Sequence, residues 1–187
     1  MSARFDLLAT PISGLKLIQR QPLGDQRGYF ERLFCADELQ ALLAGRGIAQ
    51  INHSLTAKRG TVRGLHFQYP PDAELKLVSC LRGAVFDVAV DLRQGSPTFL
   101  HWHAEILSAD NHHTLLIPEG FAHGFQTLTD HCELLYFHTA PYQPSAEGGL
   151  NVHDLRLNIG WPEAVTEWSP RDAALPGLTE SFSGVAR

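Results

Sequence analysis

The sequence predicts an all-β fold, a jelly-roll sandwich or barrel with a few short peripheral helices. Two observations lead to this prediction. Short runs rich in valine, leucine and phenylalanine follow one another along most of the chain, and clusters of glycine, proline, serine and asparagine separate them. Few helical patterns intervene, so an antiparallel arrangement is favoured. Because a jelly roll encloses a pocket, inward-facing polar residues are the candidates for function.

The individual elements follow from local patterns. One helix is expected over residues 36–44, where acidic residues come first, leucines recur at helical spacing and Gly45 follows the end. The predicted strands are residues 62–69, 76–81, 84–92, 114–117 and 133–138.

The strand at residues 84–92 shows the alternation expected of a sheet with two different faces. Its apolar side chains share one face, and Asp87 and Asp91 share the other. The last stretch, residues 161–187, is rich in proline, glycine and serine and is expected to wrap the surface with short helices. No linker divides the chain, so a single domain over residues 1–187 is predicted.

Composition excludes several classes of function. A chain of 187 residues that is 44% hydrophobic is long enough for a globular core. A net charge of −5 without a Lys/Arg cluster argues against nucleic-acid binding. The three cysteines have no paired spacing, which indicates free thiols in a reducing, cytoplasmic setting. No stretch approaches the ~20 apolar residues of a membrane span, so no membrane partner is expected.

The segment at residues 62–69 concentrates residue types that proton chemistry needs. It places a cation at Arg63, a titratable base at His66 and an amide at Gln68. In a regular strand residues 64, 66 and 68 would share one face, opposite 63, 65 and 67, and Gly64 would leave open space beside His66. A core histidine bonded to a backbone carbonyl is the alternative interpretation.

Four further residues allow both a structural and a functional interpretation. Lys76 begins an apolar strand, either as a solvated strand end or pointing inward. His123 lies among small residues, and a structural histidine is the usual case. Tyr136 and Tyr142 are six residues apart, and tyrosines in a sandwich usually belong to the core.

The histidine content raises the question of a metal site. His101 and His103 form a His-x-His pair followed by Glu105, and His112 adjoins His113. Glu105 follows too closely for the usual jelly-roll metal pattern, so no metal is predicted and these histidines are expected on solvent-facing strands. A Gly-x-Ser-x-Gly elbow, a phosphate-cradling glycine loop and a dinucleotide motif are not present in the sequence.

Several motifs occur in a fixed order along the chain. They are Gly24-Asp-Gln-Arg-Gly-Tyr-Phe-Glu31, Gln50-Ile-Asn-His-Ser54, Arg63-Gly-Leu-His-Phe-Gln68, Lys76-Leu-Val78, Phe86-Asp-Val-Ala-Val-Asp-Leu-Arg93, Ser96-Pro-Thr98, Ile117-Pro-Glu-Gly-Phe-Ala-His-Gly-Phe125, Leu135-Tyr136 and Tyr142. Together they resemble the dTDP-4-dehydrorhamnose 3,5-epimerase family, which has a cupin-like jelly roll. The resemblance runs from about Gly24 to Asp172.

The resemblance implies an isomerase that inverts the carbons flanking the ketone of a nucleotide-linked 4-keto-6-deoxyhexose. A hydrogen beside a ketone is acidic only if the enolate is stabilised, and inversion needs an acid on the opposite face. By resemblance His66 is the base, oriented and made more basic by Asp172. Lys76 stabilises the enolate oxygen and Tyr136 donates the proton. No cofactor is implied, because the substrate carbonyl is the electron sink.

The resemblance also implies binding positions and a partner. Positions that hold sugar, diphosphate or base in the family are matched by Arg27, Glu31, Gln50, Asn52, Arg63, His123, Tyr142, Glu147 and Arg171. Arg63 suits a diphosphate because guanidinium makes paired, charge-assisted hydrogen bonds. Tyr142 matches a position that stacks on the nucleobase. The family's N-terminal strand region crosses to a partner subunit, so a homodimer is expected in which Arg27 and Glu31 complete the neighbour's site.

The chain departs from the family pattern at a few positions. Glu74 and Leu75 stand where a glutamine and a small residue are common, Phe137 and His138 replace a lysine and a threonine or alanine, and Arg171 replaces a lysine. These differences leave open which nucleotide is carried. The main prediction is inversion at carbons 3 and 5 in dTDP-L-rhamnose synthesis. The alternatives are a monoepimerase acting at one carbon, a sugar-nucleotide-binding cupin and a metal-dependent cupin.

Overall fold

The computed structural model describes residues 4–186, and most of its regular structure is β-strand. In chain order the strands are β1 (Phe5–Ala9), β2 (Lys16–Arg20), β3 (Leu23–Asp25), β4 (Gly28–Phe30), β5 (Gln50–Thr56), β6 (Val62–Gln68), β7 (Lys76–Arg82), β8 (Ala84–Asp91), β9 (Trp102–Ser108), β10 (His113–Ile117), β11 (Phe121–Thr127), β12 (Cys132–His138) and β13 (Glu147–Gly149). The helices are α1 (Ala36–Leu39), α2 (Pro170–Ala173) and a 3₁₀ turn, Pro144–Ala146. Neither α-helix of the described chain has the length or the apolar character needed to cross a membrane.

Two antiparallel sheets form the molecule. The six-stranded sheet has the order β1-β2-β10-β7-β12-β5, and the five-stranded sheet has the order β13-β6-β11-β8-β9. Strands β3 and β4 form a separate hairpin. The chain crosses between the two sheets repeatedly, since β5, β7, β10 and β12 belong to one and β6, β8, β11 and β13 to the other. The predicted all-β jelly roll and its five predicted strands are confirmed.

The core between the sheets is made by inward-facing apolar residues from both of them. Val78 and Leu134 contribute from the six-stranded sheet, and Ala89 and Phe125 from the five-stranded sheet. All four are nearly or fully inaccessible to solvent. This packing fills one part of the space between the sheets and leaves another part for polar residues.

The outer face of the five-stranded sheet is covered by the C-terminal part of the chain. Val88 and Val90 of β8 are buried there, with Trp161 and Val185 in the same apolar cluster. Asp87 alternates with them and is buried on the inner side. The predicted two-faced pattern of this strand is therefore confirmed, and its apolar face packs outward against the wrapping segment.

The outer face of the six-stranded sheet carries the short helix. The helix α1 covers only Ala36–Leu39, and hydrogen-bonded turns continue to Gly45, so the helix predicted over residues 36–44 was too long. Cys35 stands at the N-cap without a side-chain hydrogen bond, and a segment this short depends on packing for its stability. Leu39 and Leu43 supply that packing by contacting Leu77 and its neighbours.

Strand β6 contains an irregularity that changes which side chains share a face. His123 pairs with His66 and Phe125 pairs with Arg63. Between these two pairs β6 contains one residue more than β11, which is a β-bulge. This bulge brings Arg63 and His66 to the same cavity, and the prediction that they lie on opposite faces was wrong. The predicted open space at Gly64 was also wrong, because a Cβ there would lie 2.7 Å from Gly124 Cα. Gly64 instead permits close contact between the strands.

Candidate active site

A cavity between the sheets collects most of the predicted site residues. Its volume is about 790 Å³, within the roughly 300–1,000 Å³ usual for small-molecule sites. The predicted residues on its wall are His66, Lys76, Tyr136, Asp172, Asn52, Arg63, His123, Tyr142, Glu147 and Arg171. Gln50 lines an adjoining hollow of about 230 Å³.

His66 and Asp172 are in direct contact. His66 Nε2 lies 2.9 Å from Asp172 Oδ1. Because a carboxylate can only accept hydrogen bonds, the imidazole proton lies on Nε2, and Nδ1 keeps a free electron pair. Ser169 caps α2 by accepting from the Asp172 N–H at 3.0 Å, which fixes the aspartate. The other carboxylate oxygen accepts from the Gly64 N–H at 3.2 Å.

The surroundings of His66 favour its neutral form. Burial lowers its pKa below the ordinary value, and this effect exceeds the opposite influence of Asp172, while Arg171 and Lys76 lower it further. The expectation that Asp172 makes His66 more basic is right for that contact, but burial determines the net direction. The imidazole still faces the cavity, with 32% of its side chain exposed. His66 is therefore an accessible, neutral nitrogen base near neutral pH.

Tyr136 reaches the cavity from the opposite sheet. It lies on β12, whereas His66 lies on β6. Its hydroxyl is 3.2 Å from Ser54 Oγ, and its ring meets the His123 ring edge-on at 6.4 Å between centroids. Burial raises the pKa of Tyr136, so the phenol keeps its proton near neutral pH. A proton donor thus faces the cavity from the side opposite the imidazole.

Lys76 points inward, which decides the alternative left open by the sequence. It is buried, and its Nζ forms an ion pair with Glu74 Oε1 at 2.7 Å. The other Glu74 oxygen accepts from His138 Nδ1 at 2.7 Å. Burial alone would raise the pKa of Glu74, but the hydrogen bond from His138 and the charge of Lys76 lower it to about 2. Glu74 is therefore a carboxylate anion at neutral pH.

His123 forms a second histidine–carboxylate pair beside the first. Its Nε2 lies 2.9 Å from Asp87 Oδ2 and 3.0 Å from Oδ1. His123 is the direct cross-strand partner of His66. The sequence pattern placed Asp87 on the face opposite the apolar side chains of its strand but gave it no role. The signal that was available is a carboxylate within an apolar strand, since a buried charge needs a partner.

A cluster of polar residues lies at the cavity wall near β13. The Tyr142 hydroxyl donates to Glu147 Oε2 at 2.9 Å, and Arg171 forms an ion pair with the same carboxylate. Elsewhere on the wall, Arg63 donates from Nε to Thr56 Oγ1 at 2.9 Å. Two guanidinium groups therefore line a cavity in a chain whose net charge is −5.

Gln50 and Asn52 link this cluster to the centre of the cavity. Gln50 Nε2 donates to Asn52 Oδ1 at 3.1 Å, and Gln50 Oε1 accepts from the Tyr142 N–H at 3.0 Å. Asn52 Nδ2 lies 3.3 Å from His138 Nε2. The two amides hence connect Tyr142 with His138.

Arg27 and Glu31 lie outside this cavity. Arg27 is exposed on the β3–β4 hairpin and pairs with Asp25 at 2.6 Å. Glu31 pairs with Arg20 at 2.8 Å on the outer side of the six-stranded sheet. The structure of one chain therefore does not bring these two predicted binding residues to the other members of the set.

The remaining histidines are dispersed. His101 is exposed, as expected, but it lies just before β9 and not in a strand. His103, His112 and His113 are half-buried, so the expectation of solvent-facing strand residues is wrong for these three. His103 Nε2 lies 2.7 Å from Glu105 Oε1. Within residues 4–186, no group of three or more His, Cys, Asp or Glu side chains is placed to hold a metal ion.

The arrangement has a definite chemical capability. A neutral imidazole faces the cavity from one sheet, and a protonated phenol faces it from the other. An ammonium group lies on the same wall as the phenol. Such a set can remove a proton from one face of a bound molecule, stabilise the resulting oxyanion and return a proton to the opposite face.

Comparison with known proteins decides the family. The family model described as dTDP-4-dehydrorhamnose 3,5-epimerase matches residues 9–180. The chain belongs to the dTDP-4-dehydrorhamnose 3,5-epimerase family. A relative named dTDP-4-dehydrorhamnose 3,5-epimerase, from Sinorhizobium fredii, is 46% identical over 170 residues, which cover 90% of this chain and 87% of the relative.

Solved structures of the epimerase family superpose on this chain over most of its length. A dTDP-4-dehydrorhamnose 3,5-epimerase from Bacillus anthracis, with TDP and PPi bound, has a TM-score of 0.89 and 41% identity and covers 93% of this chain and 99% of its own. A dTDP-6-deoxy-D-glucose-3,5-epimerase from Legionella pneumophila, in complex with dTDP-4-keto-L-rhamnose, has a TM-score of 0.87 and 41% identity, with 92% of both chains covered. The cupin-like fold expected from the motifs is thereby confirmed.

Proposed function

We propose that the chain is a cofactor-independent isomerase that inverts carbons 3 and 5 of dTDP-4-dehydro-6-deoxy-D-glucose and yields dTDP-4-dehydro-L-rhamnose. Its family membership and the names of its relatives support this assignment. The nucleotide-sugar complex of the Legionella relative supports the substrate class. The observation that carries the proposal is the placement of His66 and Tyr136 on opposite sheets around one cavity.

In the proposed reaction each inversion has two proton transfers. His66 Nδ1 takes the proton from the carbon beside the ketone, and the electron pair moves onto the ketone oxygen. The Lys76 ammonium stabilises this enolate oxygen. The enolate then takes a proton from the Tyr136 hydroxyl on the opposite face, and the ketone re-forms. Solvent removes the proton from His66 and returns one to Tyr136 before the next inversion.

The proposed binding residues surround this centre. The guanidinium of Arg63 suits a diphosphate, because it makes paired bonds to phosphate oxygens. Tyr142 is half exposed at the cavity wall, which suits stacking on a nucleobase. The polar groups proposed to hold the rest of the substrate are Gln50, Asn52, His123, Glu147 and Arg171.

We further propose that the protein acts as a homodimer in the cytoplasm, with one catalytic domain in each chain. Arg27 and Glu31 would then complete the partner's cavity. The hairpin that carries Arg27 supports this proposal, because it exposes large apolar side chains: Leu23, Tyr29 and Phe30 are 50%, 63% and 69% accessible in the single chain. The free cysteines fit a reducing compartment.

The experiment that tests the proposed reaction follows hydrogen exchange. The protein is incubated in D₂O with dTDP-4-dehydro-6-deoxy-D-glucose, and the product is examined by NMR. Deuterium is expected at both carbon 3 and carbon 5, since each returned proton comes from a solvent-exchanged group. Label at a single carbon would make the protein a monoepimerase, and no label would refute epimerase chemistry. A parallel reaction after exhaustive chelation is expected to keep full turnover, whereas activity restored only by an added metal would contradict the proposal.

A further inference from the structure

Glu74 and His138 have no role in the proposed reaction, although both line the cavity beside Lys76. Glu74 lies between Lys76 and His138 and contacts both at 2.7 Å. The three side chains are only 9%, 8% and 12% exposed, respectively. Removing a carboxylate from water is costly unless its partners compensate, so Glu74 depends on its contacts with Lys76 and His138.

The hydrogen bonds of His138 have a defined direction. Because Glu74 accepts, the imidazole proton is on Nδ1, and Nε2 presents an electron pair. Asn52 Nδ2 lies 3.3 Å from that nitrogen and donates to it. This tautomer of His138 therefore forms hydrogen bonds with both Glu74 and Asn52. Asn52 is in turn fixed by Gln50, so His138 is held from two sides.

Lys76 has few other restraints. Within the described part of the chain Glu74 is its one ion-pair partner. A lysine ammonium has three donors on a flexible four-carbon stem. One contact with a fixed carboxylate orients the group and leaves donors free for a substrate oxygen. Without that contact the ammonium would sample several positions, and fixing it beside the enolate oxygen in the transition state would then cost conformational entropy.

We propose that Glu74 and His138 are positioning residues for Lys76. His138 holds the Glu74 carboxylate in place, and Glu74 holds the Lys76 ammonium where the enolate oxygen forms. This inference rests on the proposed function, because it uses the role assigned there to Lys76. It adds two residues that act through Lys76 and do not touch the reacting carbons.

Matched substitutions test this chain of contacts. Glu74→Gln removes the negative charge of the side chain and nearly keeps its size and shape. His138→Asn keeps an amide N–H near the position of Nδ1, whereas His138→Gln moves the amide toward the position of Nε2 and loses the donor to Glu74. We expect kcat to fall about tenfold in Glu74→Gln and in His138→Gln, with little change in KM. The reason is that each variant loses one charge-assisted contact that orients Lys76 in the transition state. His138→Asn should recover most of this loss.

The double variant Glu74→Gln/His138→Gln should be no worse than either single variant, because residues that act as a unit are not additive. His101→Gln, at an exposed position away from the cavity, is the control for the same change of side chain and should match the wild type. Losses that multiply to about a hundredfold would overturn the proposal. An effect confined to KM, or a His138→Asn variant as slow as His138→Gln, would also overturn it.

A readout without turnover separates this proposal from the proposed function. In protein labelled with ¹⁵N-lysine, the Lys76 Nζ signal should be sharp in the wild type and His138→Asn, and broadened in Glu74→Gln and His138→Gln. An equally sharp signal in all four proteins would refute the positioning role. Failure of the wild type to place deuterium in the substrate would refute the proposed function, and the Nζ signal would still test how Lys76 is held.

Discussion

Two histidine–carboxylate pairs lie side by side on neighbouring strands, and they differ chiefly in exposure. His66 of β6 pairs with Asp172, and its cross-strand partner His123 of β11 pairs with Asp87. The His66 side chain is 32% exposed and that of His123 is 8% exposed. Asp172 comes from the C-terminal helix α2, whereas Asp87 comes from the adjacent strand β8 and is fully buried.

The comparison shows that contact with a carboxylate does not by itself make a histidine a base. Both imidazoles have an acceptor at hydrogen-bond distance. A base must also reach the substrate and exchange protons with solvent afterwards, and the greater exposure of His66 provides for both. We therefore propose proton removal for His66 and binding for His123.

The largest effect is expected from removing the two imidazoles in turn. His66→Ala should abolish deuterium exchange at both carbons, a loss of about 10³-fold or more, because a general base contributes roughly 10²–10⁴-fold. His123→Ala should lower kcat/KM by about tenfold and leave exchange detectable, as for one lost binding contact. Exchange rates measured by NMR in D₂O check both values. Similar losses in the two variants would remove the distinction between the pairs.

An effect smaller than that of His66→Ala is expected from Asp172→Asn. The carboxylate accepts from both His66 and the Gly64 N–H, but an amide has one oxygen, so one of these donors would face an NH₂ group. We expect kcat/KM to fall about 10²-fold through loss of the correct tautomer.

The pH profile sharpens the same prediction. Activity needs the neutral imidazole, and burial lowers the pKa of His66. The rise of kcat/KM with pH should therefore be centred below about 6.5, the ordinary histidine value. Asp172 raises that pKa, so in Asp172→Asn the rise should shift to still lower pH. A shift toward higher pH would contradict the assigned contact.

The smallest effect on catalysis is expected from Asp87→Asn. Because Asp87 is fully buried against His123, the main result should be a loss of about 1–3 kcal/mol in the free energy of unfolding. The pH of the acid-side rise in kcat/KM should stay at its wild-type position. Denaturant unfolding and a pH–rate profile of the same preparation check the two statements. A clear displacement of that rise would show that this pair takes part in proton removal.

The sequence predicted the structure best where the two-residue alternation of a strand, or the residue types that a reaction needs, could be recognised directly. The strand β8 could be predicted with both of its faces, because Phe86, Val88 and Val90 share one face and the aspartates lie on the other. His66, Lys76, Tyr136 and Asp172 could be chosen through the resemblance to the family, and the structure brings them to one cavity. The contact between His66 and Asp172 could not be predicted from their positions in the chain, because it depends on the packing of α2 on β6.

The failures also have physical causes. A bulge depends on the partner strand, so the pattern of β6 alone could not show that Arg63 and His66 share a face. The helix that begins at residue 36 was predicted too long, because the leucine spacing indicates which side chains are buried but does not determine where the helix ends. Its N-cap residue also lacks a side-chain hydrogen bond. Arg27 and Glu31 could be matched by motif, but a single chain places them away from the cavity.

The most direct test of the account is the Tyr136→Phe variant in D₂O. In the proposed mechanism His66 acts as a base from one sheet and Tyr136 acts as an acid from the other. Removal of the phenolic hydroxyl should leave deuterium exchange from the His66 side within about tenfold of the wild type, while inversion falls about 10²-fold, in the range for one lost proton donor. Exchange with retained configuration is the predicted result. Inversion at the wild-type rate would contradict the assignment of Tyr136 as the opposing acid.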